Sequence, residues 1–148
     1  MTVTAIKLCQ AGRAGILSIG LLGSAAAVSA DVVVIANPSL AVDTLTAEQI
    51  KDIFTAAAPR LPNGTPCKVI DQAEQRPART EFYHKVLHKT PEQAKAWWAK
   101  QIFTGKGVPP PVVTDDAAVK KWLSRFPDGI GYIDEAAVDG SVKVLLRP

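Results

Sequence analysis

The chain is poor in the residues that most often carry chemistry. Its 148 residues include two cysteines and two histidines, and neither Gly-x-Ser-x-Gly nor His-Glu-x-x-His occurs. Enzyme function is therefore not expected. Cys9 lies in a segment read below as removed, which leaves Cys67 as the sole thiol and excludes an internal disulfide. Long apolar runs are missing too. The stretch Ala14 to Ala27 is broken by Gly and Ser and falls short of the roughly 20 residues that span a bilayer. What is present is ordinary globular composition, 47% hydrophobic and 21% charged, which excludes a collagenous, low-complexity or wholly disordered chain.

Residues 1–30 read as a secretory signal peptide. Lys7 and Arg13 precede the apolar stretch, and Val28-Ser29-Ala30 supplies the small-residue end before Asp31. Cleavage near Ala30 predicts a periplasmic protein with a single domain over residues 31–148. The formal charge of +3 suggests a polyanion binder at first. Removing residues 1–30 takes two of the 17 basic residues and none of the 14 acidic ones, leaving 15 against 14. Nucleic-acid binding needs clustered basic residues in excess, so it is not expected.

From Asp31 onward strand-like and helix-like stretches alternate, which predicts α/β layering. Val32 to Ala36 is a continuous apolar run without alternation, the pattern of a strand buried on both faces. Thr46-Ala47-Glu48-Gln49 and Thr90-Pro91-Glu92-Gln93 each fit a capping box and predict helix starts. The first of these helices has an apolar stripe of Ile50, Ile53, Phe54 and Ala57. Cys67 to Ile70 is a short strand candidate, a polar loop from Asp71 to Arg76 follows, and Pro77 opens a helix that buries Phe82, Tyr83, Val86 and Leu87. Trp97, Trp98 and Trp122 stand at helical spacing and are expected in the core. Two glycines and three consecutive prolines keep residues 103–111 out of regular helix. Asp115 and Asp116 open a further helix, and Ile130 to Ile133 and Val142 to Leu146 give the closing strands.

Leu45-Thr46-Ala47-Glu48-Gln49-Ile50-Lys51-Asp52-Ile53-Phe54, Val69-Ile70-Asp71-Gln72, Ile102-Phe103-Thr104-Gly105-Lys106-Gly107 and Pro127-Asp128-Gly129-Ile130-Gly131-Tyr132-Ile133 occur in that order. Together they resemble periplasmic phosphate-binding proteins of ABC transporters, and more closely the short, single-lobe members of that superfamily. The resemblance implies one lobe of the type 2 periplasmic-binding-protein fold, a central mixed sheet flanked by helices. It also implies a solute-binding protein linked to phosphate transport. Full-length members close two lobes on phosphate between helix N-termini with a Ser-Gly-Thr helix opening. This chain departs in holding a single lobe and in reading Arg76-Pro77-Ala78-Arg79-Thr80 at that opening.

A loop joining a strand end to a helix start is where open α/β sheets gather ligands, and a helix N-terminus offers N–H groups to an anion. Asp71, Gln72, Arg76, Arg79 and Thr80 are therefore the main candidates for an oxyanion site: the arginines supply forked cations, and Asp71 can accept a proton from phosphate or pair with an arginine. The competing reading is a solvated ion-pair cluster of Asp71, Glu74, Arg76 and Arg79. Gly105 and Lys106 form a second candidate without nucleotide P-loop spacing, and Ser39 is a weaker third. His84 and His88 share a helix face with Glu81, but no second shell is evident, so no metal is expected, nor any cofactor. Weak, millimolar binding of phosphate or a similar oxyanion is the expectation, tightened only by a second surface such as a symmetric copy, a transporter or a periplasmic partner. The alternative is a periplasmic interaction module that keeps the lobe fold without a ligand.

Overall fold

The computed structural model describes residues 31–148, so the signal peptide read at residues 1–30 lies outside the described residues. Strand β1 (Val32–Ala36) is buried over its whole length. Val32, Val34 and Ala36 face one core cluster while Val33 and Ile35 face another, which is why its sequence does not alternate. β1 lies between β5 (Gly129–Asp134) and β6 (Lys143–Leu146), antiparallel to both, and the short β2 (Lys68–Val69) pairs parallel with the far side of β5. The result is a mixed four-stranded sheet with helices on both faces.

One face is covered by α1 (Ala47–Thr55) and by α2 (Pro77–Phe82), which runs straight on into a single π-turn at Tyr83–Leu87. The capping box at Thr46 is formed as expected: its hydroxyl accepts from the Gln49 N–H at 3.2 Å and its N–H donates to Gln49 Oε1 at 2.9 Å. The predicted stripe ends earlier than expected, because α1 stops at Thr55 and Ala57 is exposed. Phe82 lies flat on Tyr132 of β5, with ring centroids 4.1 Å apart and planes 7° from parallel, and Phe54 closes on Phe82 at 4.7 Å. Burying one such ring contributes about 1.5–3 kcal/mol, so this trio anchors α1 and α2 to the sheet. The other face is covered by α4 (Asp116–Arg125) through Val119 and Leu123.

α3 (Pro91–Phe103) starts at the second capping box, formed at Thr90, and buries only Ala94. Trp97 and Trp98, expected in the core, are half-buried and pack edge to face on each other at 4.5 Å. Trp122 is half-buried as well and lies 4.5 Å from Phe126. These tryptophans correct the core expectation: helical spacing told which residues share a face, not how deeply that face is covered. A second correction concerns the stretch beginning at Asp71. Asp71–Gln72 is a strand, β3, buried and paired parallel with β4 (Val112–Val113), with the Asp71 N–H donating to Pro111 O at 2.9 Å.

β5 comes close to its neighbours at Gly131, where a Cβ would sit 2.8 Å from both Ile70 Cγ2 and Val119 Cγ1. Two packed side chains that cannot yield make an added methyl costly. Gly131→Ala is expected to lower stability by about 1–3 kcal/mol, read as a fall in the urea midpoint. Gly140→Ala, where nothing lies within 4 Å of the new Cβ, should change it by less than about 0.5 kcal/mol; equal effects of the two would show that the close approach does not matter.

Candidate functional site

β3 delivers a carboxylate into the protein, and the surroundings complete it. Asp71 is buried, and each of its oxygens takes two donors. Oδ1 accepts from the Gln72 N–H at 2.8 Å and from the Tyr132 hydroxyl; Oδ2 accepts from the Tyr83 hydroxyl at 2.6 Å and from Arg79 Nε at 3.4 Å. A carboxylate has about four lone-pair positions, so this one is filled. The role of accepting a proton from phosphate is thereby corrected: Asp71 holds Arg79 and the two phenols in place and offers nothing outward.

The two arginines separate. Arg76 turns to α4, where its Nη2 lies 3.5 Å from Asp116 Oδ2, while Asp116 Oδ1 accepts from Gln72 Nε2 at 2.8 Å. Arg79 turns inward. Its Nε is on Asp71, its Nη2 donates to the Tyr83 hydroxyl at 3.2 Å, and its guanidinium carbon stands 4.3 Å from the centre of the Tyr83 ring. Its Nη1 meets no acceptor among the described residues and is not a buried unpaired atom. A guanidinium carries five N–H donors, so three remain uncommitted. Burial opposes the charge on Arg79, but Asp71 above all outweighs it, and the Arg79 pKa rises.

The start of α2 is not the donor cluster the sequence suggested. Pro77 has no N–H, and the Arg79 and Thr80 N–H groups both donate to Arg76 O, at 3.1 and 3.3 Å. Thr80 is exposed, so no shared cup forms from Arg76, Arg79 and Thr80. What forms is a cleft of about 330 Å³ between β3, α2 and α3, whose polar lining is Asp71, Gln72, Glu74, Arg79, Tyr83 and Lys95. It unites Asp71, Gln72 and Arg79 from the sequence-derived set.

The remaining candidates lie elsewhere. Gly105, with φ of +66°, ends α3 in the left-handed conformation that glycine favours, and the Gly105 and Lys106 N–H groups donate to Ile102 O and Gln101 O. That loop is a helix cap, and Lys106 is exposed outside the cleft. Ser39 is exposed and its N–H donates to Asn37 Oδ1 at 2.8 Å, closing a local turn. His84 and His88 are both exposed, and Glu81 on their stripe pairs with Lys85.

Lys95, Tyr83 and Tyr132 were missed as site residues. A signal for Lys95 existed: Lys95, Trp98 and Ile102 follow one another at helical spacing on α3 and all three line the cleft. For the tyrosines the signal was a hydroxyl inside an apolar pattern, since a buried phenol needs a partner. Cys67 is buried, and burial, then the charge of Asp128, pushes its thiol up to about 11, which keeps it unreactive.

No family model matches the chain, and no curated protein does either. Solved structures do. An ABC-type phosphate transport receptor from Vibrio cholerae aligns with 78% of this chain and 45% of its own length, at TM-score 0.60 and 17% identity. PstS from Borrelia burgdorferi aligns over the same 78% and 46% of its own length, at TM-score 0.60 and 17% identity. A phosphate transporter substrate-binding protein from Clostridium perfringens, solved with bound phosphate, gives TM-score 0.61 and 21% identity over 44% of its length. The chain has the fold of these substrate-binding proteins, and it spans less than half the length of each.

Both phenols on Asp71 are held neutral. Burial first, then the Asp71 charge, raises Tyr83 and Tyr132 well above the usual phenol range. In the unfolded chain they ionise near pH 10. The stability they contribute is thus complete below about pH 10 and is lost as pH rises toward their folded values. Stability measured by urea unfolding should therefore fall from about pH 10 upward. Tyr132→Phe should be less stable by about 1–3 kcal/mol at pH 7, having left one Asp71 oxygen short of a donor, and its decline above pH 10 should be shallower. An identical slope in the variant would remove Tyr132 from the network's titration.

Proposed function

We propose that the protein is an exported, periplasmic binding lobe of residues 31–148 that takes phosphate or a similar oxyanion reversibly in the cleft between β3, α2 and α3, in the service of phosphate transport. The observation that carries this reading is Arg79, a cleft-lining cation whose Nε and Nη2 are held by Asp71 and Tyr83 while its Nη1 meets no acceptor among the described residues. Lys95 adds a second cation without an ion-pair partner among the described residues. The fold shared with phosphate receptors supports the same ligand class.

Charge limits the affinity. Asp71 offsets Arg79, and Glu74 shares the cleft with Lys95. Two or three charge-assisted contacts of about 1.5–3 kcal/mol each, set against an association cost of at least about 4 kcal/mol, leave millimolar binding or weaker. Titration calorimetry with phosphate, sulfate and nitrate at tens of millimolar is expected to show binding. Lys95→Ala should weaken it severalfold, and Glu74→Gln should tighten it by removing a like charge. Lys95 and Glu74 are exposed, so both variants fold and the outcome stays readable; no binding by the parent protein, or indifference to both changes, refutes the site.

A second reading, an interaction module without a ligand, is favoured by one surface. Phe103 is 92% exposed, Val108 72% and Ile102 54%, a run of apolar side chains at the α3 end and the following loop. A periplasmic crosslink to a protein partner that is lost in Phe103→Ser is the outcome this reading requires; a chain that stays monomeric and recovers nothing counts against it.

A further inference from the structure

We propose that the cleft takes an oxyanion carrying a flat apolar group, an aryl phosphate or a close analogue, in preference to the bare tetrahedral ion. This rests on the reading of the cleft as an oxyanion site. Beside its polar groups the cleft is lined by Trp98, Ile102, Pro109, Pro110 and Val112, and Trp98 stands one helical turn from Lys95 on the same face of α3. A bare ion on Arg79 and Lys95 fills a small part of about 330 Å³ and leaves these apolar side chains wet. Organic ligands fill cavities of this size, with apolar walls and a few fixed polar groups for orientation.

The wall is also well suited to a ring. Trp98 is half-buried and packs edge to face on Trp97, which restrains its indole. Pro109 and Pro110 are stiff, and Pro110 is buried. The apolar surface does not stop at the cleft: Trp98, Pro109 and Pro110 also line a neighbouring groove of about 390 Å³ beside Phe54, Trp122 and Phe126. A group that outgrows the cleft meets more aromatic surface. Phosphate oxygens then sit against Arg79 Nη1 and Lys95, and the ring lies on Trp98, where stacking and apolar burial add to the ionic contacts.

Calorimetry with inorganic phosphate, phenyl phosphate and phenol separates the cases, using the parent protein, Trp98→Ala and Lys95→Ala. Phenyl phosphate is expected to bind about tenfold more tightly than phosphate, phenol to bind more weakly than either, and Trp98→Ala to erase the preference while keeping phosphate binding. Lys95→Ala should weaken both phosphates by a similar factor. Equal binding of the two phosphates by the parent overturns this inference and leaves the oxyanion reading standing. A preference that survives Trp98→Ala also overturns it, as does phenol binding as tightly as phenyl phosphate. No binding of any oxyanion overturns the underlying reading instead. Should Trp98→Ala unfold, seen as loss of the cooperative thermal transition, Trp98→Leu is the variant that must lose the preference.

Discussion

A carboxylate taken out of water needs its lone pairs filled, and the interior around Asp71 is arranged to do that. Its four donors come from β3 itself, from α2, from the π-turn and from β5. One negative charge thus ties together the small sheet, the helix that follows it and the central sheet. Leaving such a group partly unpaired costs far more than each hydrogen bond gains. Tyr132 has two roles at once: its ring carries Phe82 and its hydroxyl reaches Asp71. The position of Arg79 at the cleft follows from this arrangement.

The network extends one residue further. Gln72 is completely buried, and its amide donates to Tyr132 O and to Asp116 Oδ1, so the same strand grips β5 and the first turn of α4. Its Oε1 and Arg76 Nε are buried without a partner among the described residues.

Much of the fold was legible because local chemistry and burial agree. Val32 to Ala36 is apolar on both faces and is buried on both; the boxes at Thr46 and Thr90 close as written; Asp115 caps α4 by accepting from the Ala118 N–H. The site was legible in part. Asp71, Gln72 and Arg79 stood out as polar residues at a strand-to-helix junction, and they do line one cleft. Sequence position alone does not say which way a side chain turns, and Arg76, which precedes α2, and Arg79, three residues on within it, face different partners. Nor does it show that Lys95, on a different helix, closes the cleft, because that depends on how α3 is set against β3. Two-residue strands such as β3 leave no periodicity to read, and a polar pair reads as loop.

The small sheet has a consequence of its own. β4 is two residues long and directly follows Pro109, Pro110 and Pro111, none of which has an N–H to offer. A free strand margin ordinarily invites a stray polypeptide to zip onto it and seed insoluble assemblies. Here any incoming chain would find two amides at most before the ladder runs out, so the molecule can keep apolar side chains such as Val112 in water beside that margin while denying foreign backbone a foothold.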